Sequence, residues 1–151
     1  MMEIIPAERR HAKEISRLML EDLKDPDPRF PRKMIARFRK HAAEGVLAEF
    51  DNKGLLAFVA VDGPVVGFLV GYLRERKAII HYVQGQLEAK KALLAHCVRV
   101  CKEKKLTAIE ADTFSFMENF TFFQGEGFRL LRKEQITPEL DMLWFGLDLV
   151  S

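Results

Sequence analysis

The spacing of apolar residues changes along the chain, and each change marks a new element. Glu3-Ile4-Ile5 predicts a short first strand. Pro6 then opens a helix, because a proline in the first turn loses no hydrogen bond that the helix needs. Ala12, Ile15, Leu18, Met19 and Leu23 fall on one face of that helix, with Arg9, Arg10, Lys13, Glu14, Arg17 and Glu21 elsewhere. Asp25-Pro26-Asp27-Pro28 ends it, since residues before proline avoid the helical region. A second helix is predicted from Pro31 to Ala43, stopping at Gly45, and Val46 to Phe50 fits no single period.

From Leu55 the period shortens. Leu55 to Val61 reads as a strand, Asp62-Gly63 as a hairpin turn and Val65 to Leu73 as the returning strand. Arg74-Glu75-Arg76 turns the chain again, into a third strand from Lys77 to Val83. The helical period returns from Leu87 to Lys104, where Leu87, Leu94, Cys97, Val98 and Cys101 line one side. A strand from Leu106 to Thr113, a helix from Phe116 to Gln124, and strands at Phe128–Arg132 and Met142–Val150 complete the pattern. The order β-α-α-β-β-β-α-β-α-β-β predicts an α/β (α+β) domain: a mixed, mostly antiparallel central sheet with helices on both faces. No repeat, low-complexity tract or linker interrupts it, so residues 1–151 are expected to form a single domain.

At 151 residues the chain is long enough to bury about 70% of its unfolded surface and hold a core unaided. Hydrophobic residues make up 48% and charged residues 30%, which excludes a disordered chain. The net charge of +2 does not call for a nucleic-acid partner. Cys97 and Cys101, at i,i+4, read as part of a core stripe with Leu94 and Val98. With no second cysteine pair and four scattered histidines, no metal site is expected. Met1 to Pro6 lacks a basic segment followed by a long apolar one, and no run approaches a membrane span. The expectation is a cytoplasmic protein with no membrane role.

The segment Phe122-Phe123-Gln124-Gly125-Glu126-Gly127-Phe128 closes an apolar helix, turns on glycine and opens a strand. It resembles the FYEKxGF signature that ends the last helix of the GNAT acyltransferases, and the element order is similar to theirs over nearly the whole chain. The resemblance implies that the strand ending at Val83 splays from the strand at Leu106–Thr113, and that acetyl-CoA, or another acyl-CoA, enters the gap. It implies a cofactor segment Val83, Gln84, Gly85, Gln86, Leu87, Glu88, Ala89 and Lys90. There the Val83 amide polarises the thioester, while backbone N–H groups at a helix N-terminus hold the pyrophosphate. The family's R-G-x-G-x-G/A loop keeps only Gly85 here and is about three residues shorter. Glu88 adds a carboxylate to the first helical turn, which Lys90 and Lys91 offset if they face the phosphates. Asn119 is carried over as the residue for the pantetheine arm, although the family's asparagine would fall near Ser115 or Phe116. Phe123 stands where the family has a proton-donating tyrosine, and a phenyl ring has no proton to give.

For the base toward an amine, His81 on the strand ending at Val83 and Glu110 on the next strand are the candidates. Asp112 lies on the same face as Glu110. Arg29, Arg32, Lys33, Arg37, Arg39, Lys40 and His41 form a segment without an acidic residue. It reads either as a solvated helix face or as the seat of an anionic partner: an acidic acceptor, a CoA 3′-phosphate or nucleic acid. Phe30 and Phe38 alone are too few aromatics for stacking on bases. Two readings follow. One is an acyl-CoA-dependent N-acyltransferase that transfers an acetyl group by direct attack to a small-molecule or peptide amine. The other is a non-catalytic GNAT-fold module that binds a ligand or partner through the same cleft. The apolar run Met142–Gly146 with Leu147 would suit a homodimer through the C-terminal strands.

Overall fold

The computed structural model describes residues 1–115 and 117–150. Seven strands form one sheet: β1 (Glu3–Pro6), β2 (Leu55–Val61), β3 (Val65–Arg74), β4 (Lys77–Gly85), β5 (Ala108–Phe114), β6 (Arg129–Thr137) and β7 (Leu140–Asp148). Their order is β1-β2-β3-β4-β5-β7-β6. Every neighbouring pair is antiparallel except β4 with β5. That parallel pair needs a crossover, which α4 (Leu87–Glu103) supplies.

Helices cover both faces, so the central strands read as continuous apolar runs rather than alternating ones. On one face Ala12, Ile15 and Met19 of α1 (Ala12–Asp22) and Val46 of α3 (Val46–Glu49) pack on Val59, Phe68 and Val70. On the other, Leu93, Leu94 and Cys97 of α4 and Phe122 and Phe123 of α5 (Glu118–Gly125) pack on Leu69, Ile80 and Ile109. Cys97 and Cys101 are fully buried free thiols in this second core, as their helical stripe predicts.

Several boundaries differ from the sequence reading. Pro6 ends β1 rather than opening a helix, which an edge strand allows because one side needs no N–H donor. α1 begins only at Ala12, after a short 3-10 turn at Arg9–His11 in which Glu8 N–H donates to His11 Nδ1 at 2.9 Å. α2 (Arg32–Lys40) continues through a π-helical turn, His41–Gly45, directly into α3, so the ambiguous segment after Gly45 is helical. β6 runs on to Thr137, which faces Leu140 across a tight hairpin. Within the apolar run Met142–Leu147, Leu143 and Phe145 are buried in the core. β6 is the edge strand at the other side of the sheet, with Leu130, Leu131 and Ile136 exposed.

Two features of β4 open the sheet. Its pairing with β5 runs only from Lys77–Ala108 to Ile80–Ala111, although β4 continues to Gly85 and β5 to Phe114. Beyond that point the two strands share no backbone pairing. On the β3 side, Val70 faces Tyr82 and Gly71 faces Ile80, so His81 is the extra residue of a β-bulge. Gly71 is what lets the backbones close around it: a Cβ there would lie 2.3 Å from the Ile79 carbonyl oxygen.

Candidate active site

The unpaired ends of β4 and β5 border a cleft of about 1440 Å³, walled by α1, α2, α4 and α5. The bulge exposes His81 where the alternation would otherwise continue, and Asp112 sits across the gap on β5. His81 Nδ1 lies 3.3 Å from Asp112 Oδ2. The hydrogen bond to Asp112 raises the imidazole pKa above its ordinary value, with burial opposing and the Asp112 charge adding. The side chain keeps 41% of its exposure, so it is reachable from the cleft. The Tyr72 and His81 rings meet edge-on, with their centroids 5.5 Å apart.

Glu110, the other expected base, is on the same strand face one step toward the closed end of the gap. Its carboxylate is 3.0 Å from Lys77 Nζ and does not line the cleft. The structure therefore brings Asp112, not Glu110, to His81.

Behind this pair lies a second polar group that sequence reasoning missed. Burial first, then a hydrogen bond to Glu49, pushes the Tyr72 phenol well up. His41 Nε2 is 3.3 Å from Glu49 Oε1 but not aligned for a hydrogen bond. Its ring stacks on Tyr82 at 5.9 Å. The π-helical turn carries His41 inward, and Gly45, which the sequence offered as a helix stop, makes the room: a Cβ there would lie 2.5 Å from His41 Nδ1. No periodicity of α2 signals this, because an i→i+5 turn breaks the spacing on which the reading depends.

The expected cofactor segment lies at the other end of the cleft. β4 ends at Gly85, and Gln86 alone separates it from α4. The first bond of the helix runs from Lys90 N–H to the Gln86 carbonyl at 3.0 Å, which leaves the N–H groups of residues 87–89 without partners inside the helix. Leu87 and Glu88 are exposed, Ala89 is buried, and Gln84 turns toward α1 to donate to the Leu18 carbonyl at 2.5 Å.

Lys90 does not point toward a phosphate site in solvent. Its side chain is only 7% exposed, and Nζ donates to Asn119 Oδ1 at 2.9 Å while lying 5.0 Å over the Phe122 ring. Asn119 Nδ2 in turn donates to the Val83 carbonyl at 3.1 Å. A chain of side-chain bonds thus crosses the open gap from α4 through α5 to β4. Burial lowers the Lys90 pKa, and the charges of Glu118 and Asp22 partly restore it. Asp22 is raised, by burial first and then by the charge of Glu118.

Asn119 reaches this place because α5 starts at Glu118, later than the sequence predicts, which puts it in the first turn. Phe116 lies outside the described residues, and the Ser115 N–H donates to the Asp141 carbonyl at 3.0 Å. Phe123, which the resemblance put at the position of the family's tyrosine in the cofactor site, lies in the core instead. It is 1% exposed among Phe122, Phe128 and Phe145, and it does not line the cleft, whereas Phe122 does. The Gly127 turn holds it there: Phe128 N–H donates to the Phe123 carbonyl at 3.0 Å and Gly127 N–H to that of Gln124 at 3.2 Å, a Schellman ending.

The basic segment does not line the cleft through its lysines and arginines. It contributes Phe30, Ile35, Phe38 and His41 instead. Arg29 bonds to Asp27, and Arg39 donates to the Leu23 carbonyl at 2.8 Å. The charged lining is mostly acidic, from Glu21, Asp22, Asp25, Asp27, Asp112, Glu118 and Glu126.

No protein-family model and no curated protein matches the sequence. Solved structures do match over nearly the whole chain. An acetyltransferase of the GNAT family from Staphylococcus aureus Mu50 is 18% identical with a TM-score of 0.73, covering 99% of this chain and 100% of that one. The PaiA N-acetyltransferase from Thermoplasma acidophilum, in complex with coenzyme A, is 14% identical with a TM-score of 0.71, covering 95% and 98%. The aminoglycoside 6'-N-acetyltransferase from Enterococcus faecium is 12% identical with a TM-score of 0.78, covering 99% and 98%. At such identities the likeness is one of architecture, and the architecture of this chain is the GNAT fold.

Proposed function

We propose that this protein is an acyl-CoA-dependent N-acyltransferase, cytoplasmic, that transfers an acetyl group from acetyl-CoA to an amine. The observation that carries this reading is the His81–Asp112 pair at the lip of the gap, close to the free end of β4. The Val83 carbonyl bonds to Asn119 and so faces the gap. A strand residue turns its N–H and C=O to the same side, so the Val83 amide faces the gap too. It is placed to donate to a thioester oxygen there.

In this reading the ammonium of the acceptor first gives a proton to neutral His81, directly or through one water. The amine nitrogen then attacks the thioester carbonyl carbon. A C–N bond forms and the C–S bond breaks; the nitrogen, now cationic, gives its second proton to solvent, and CoA leaves as a thiolate that takes a proton from solvent, since Phe123 has none to give. Asp112 fixes the imidazole and favours its charged form after proton transfer. Self-association, tested by gel filtration at two concentrations, would use the open β6 edge.

The second reading, a binding module without catalysis, is favoured by one observation: the Lys90–Asn119–Val83 bonds occupy the gap that the cofactor needs. One experiment separates the two. Thermal unfolding with millimolar acetyl-CoA, followed by thiol release in the presence of an amine panel, gives a raised unfolding temperature and thiol release for an enzyme. Neither effect with any amine sinks the acyltransferase reading.

A further inference from the structure

The acceptor end of the cleft has a division of its own. Asp112 and Phe114 are two residues apart on one face of β5, which places them roughly 7 Å from each other along the strand. The Phe114 ring meets Phe30 edge-on at 4.9 Å and Phe38 at 6.1 Å. All three rings line the cleft, and Met142 and Ile35 extend the apolar wall. One end of this subsite therefore carries a carboxylate beside an imidazole. The other end, one strand repeat away, is hydrocarbon and phenyl.

Resting on the acyltransferase reading, we infer that the acceptor is a primary amine with an aryl or alkyl body. Its ammonium sits at Asp112 beside His81, and its apolar end lies against Phe30, Phe38 and Phe114. The alternatives fit the same walls poorly. An anionic acceptor would find no lysine or arginine of α2 in the lining, and Arg29 and Arg39 are bonded to Asp27 and the Leu23 carbonyl. For a polyamine the second ammonium would meet three phenyl rings, and Asp27, whose backbone carbonyl accepts from the Phe30 N–H, already has its carboxylate on Arg29. A polyhydroxylated amine would bury hydroxyls against groups that cannot bond to them, which costs affinity. An aryl or alkyl end loses water on both surfaces and keeps one charge where one carboxylate meets it.

The test uses the full chain and two readouts. The first is calorimetric binding of 2-phenylethylamine, hexylamine, methylamine, spermidine and glutamate without cofactor. The second is thiol release from acetyl-CoA with each of them. The expected result is that 2-phenylethylamine and hexylamine bind more tightly than spermidine, glutamate and methylamine. Phe114→Ala should weaken 2-phenylethylamine about tenfold, the range of one aromatic contact, while leaving methylamine within about twofold. Phe114→Leu, which keeps the site apolar, and Phe30→Ala serve as companions if Phe114→Ala unfolds. Equal or tighter binding of spermidine or glutamate overturns the inference, and so does unchanged 2-phenylethylamine affinity in the folded variants. Tight binding of the apolar amines with no thiol release would leave the subsite standing and remove the acyltransferase reading. Thiol release with polar amines only would do the reverse.

Discussion

The two ends of the cleft are built on opposite plans. At the acceptor end, the bulge at His81 and the alternation of β5 aim functional groups into open space, and the groups remain partly exposed. At the cofactor end, Lys90, Asn119 and the Val83 carbonyl satisfy one another, and the lysine is almost fully buried. The first arrangement is set by backbone register, which persists whether or not a ligand is present. The second is set by side-chain bonds that a ligand must replace. In the proposed reading the acceptor groups are thus preformed, and a cofactor that takes the place of the Lys90–Asn119–Val83 bonds must break them before it makes new ones. This lowers affinity by the cost of the bonds broken.

The largest effect expected on this contrast comes from the preformed end. His81→Gln should lower turnover by about 10²- to 10⁴-fold, the contribution of a positioned base, with little change in cofactor affinity. Because Asp112 raises the His81 pKa, the base is ready only above that raised value, and kcat/KM should climb with pH through it. Asp112→Asn removes the chief cause, so the midpoint should move down toward the ordinary imidazole value. Stability carries the opposite sign. A raised histidine pKa contributes stability fully below the unfolded-state pKa and loses it as pH rises through the folded one. A pH–rate profile whose midpoint stays in place in Asp112→Asn would remove His81 as the base.

The next effect concerns what the sequence could and could not convey. The helix at Leu87, the meander and the Gly127-Phe128 turn were legible because periodicity, turn residues and a Schellman glycine are local properties. His81 was legible as a candidate base, but the bulge that carries it and the role of Gly71 were not, because a bulge is defined by the partner strand. Nor was Glu110 separable from Asp112: the two share a face, and only the length of the β4–β5 pairing decides which one reaches the gap. Phe123 marks the boundary between signature and site. Its alignment with a family tyrosine suggests that Phe123→Tyr restores a proton donor. Its burial among Phe122, Phe128 and Phe145 says that a hydroxyl there has no partner. The variant should lose about 1–3 kcal/mol of stability with no gain in turnover. A raised kcat at an unchanged unfolding temperature would show that the ring reaches the cleft after all.

The smallest effect, and the one that bears most directly on the bonded end, is expected from Lys90→Met. Methionine keeps the length and fills the space over Phe122 without an ammonium to desolvate. Removing a buried charge in favour of an apolar side chain is often stabilising, and here about 1 kcal/mol is expected. The pH dependence gives a cleaner reading. Burial lowers the Lys90 pKa, so between that value and the ordinary lysine range the unfolded chain binds a proton that the folded chain does not. Stability attributable to Lys90 should therefore rise with pH across that window. Tyr72, whose phenol is pushed up, acts in the other direction as pH passes the ordinary tyrosine range, because the folded chain then keeps a proton that the unfolded chain loses. The difference between the parent chain and Lys90→Met cancels the tyrosine and isolates the lysine: the stability gap between them should be widest near neutral pH and narrow as the solution becomes alkaline. The same variant should bind CoA about tenfold more weakly if the lysine leaves Asn119 to meet the pyrophosphate, and bind a phosphate-free pantetheine thioester at least as well as the parent. Equal CoA affinity in the two chains would mean that Lys90 stays with Asn119, and that whatever enters the gap does so without displacing it.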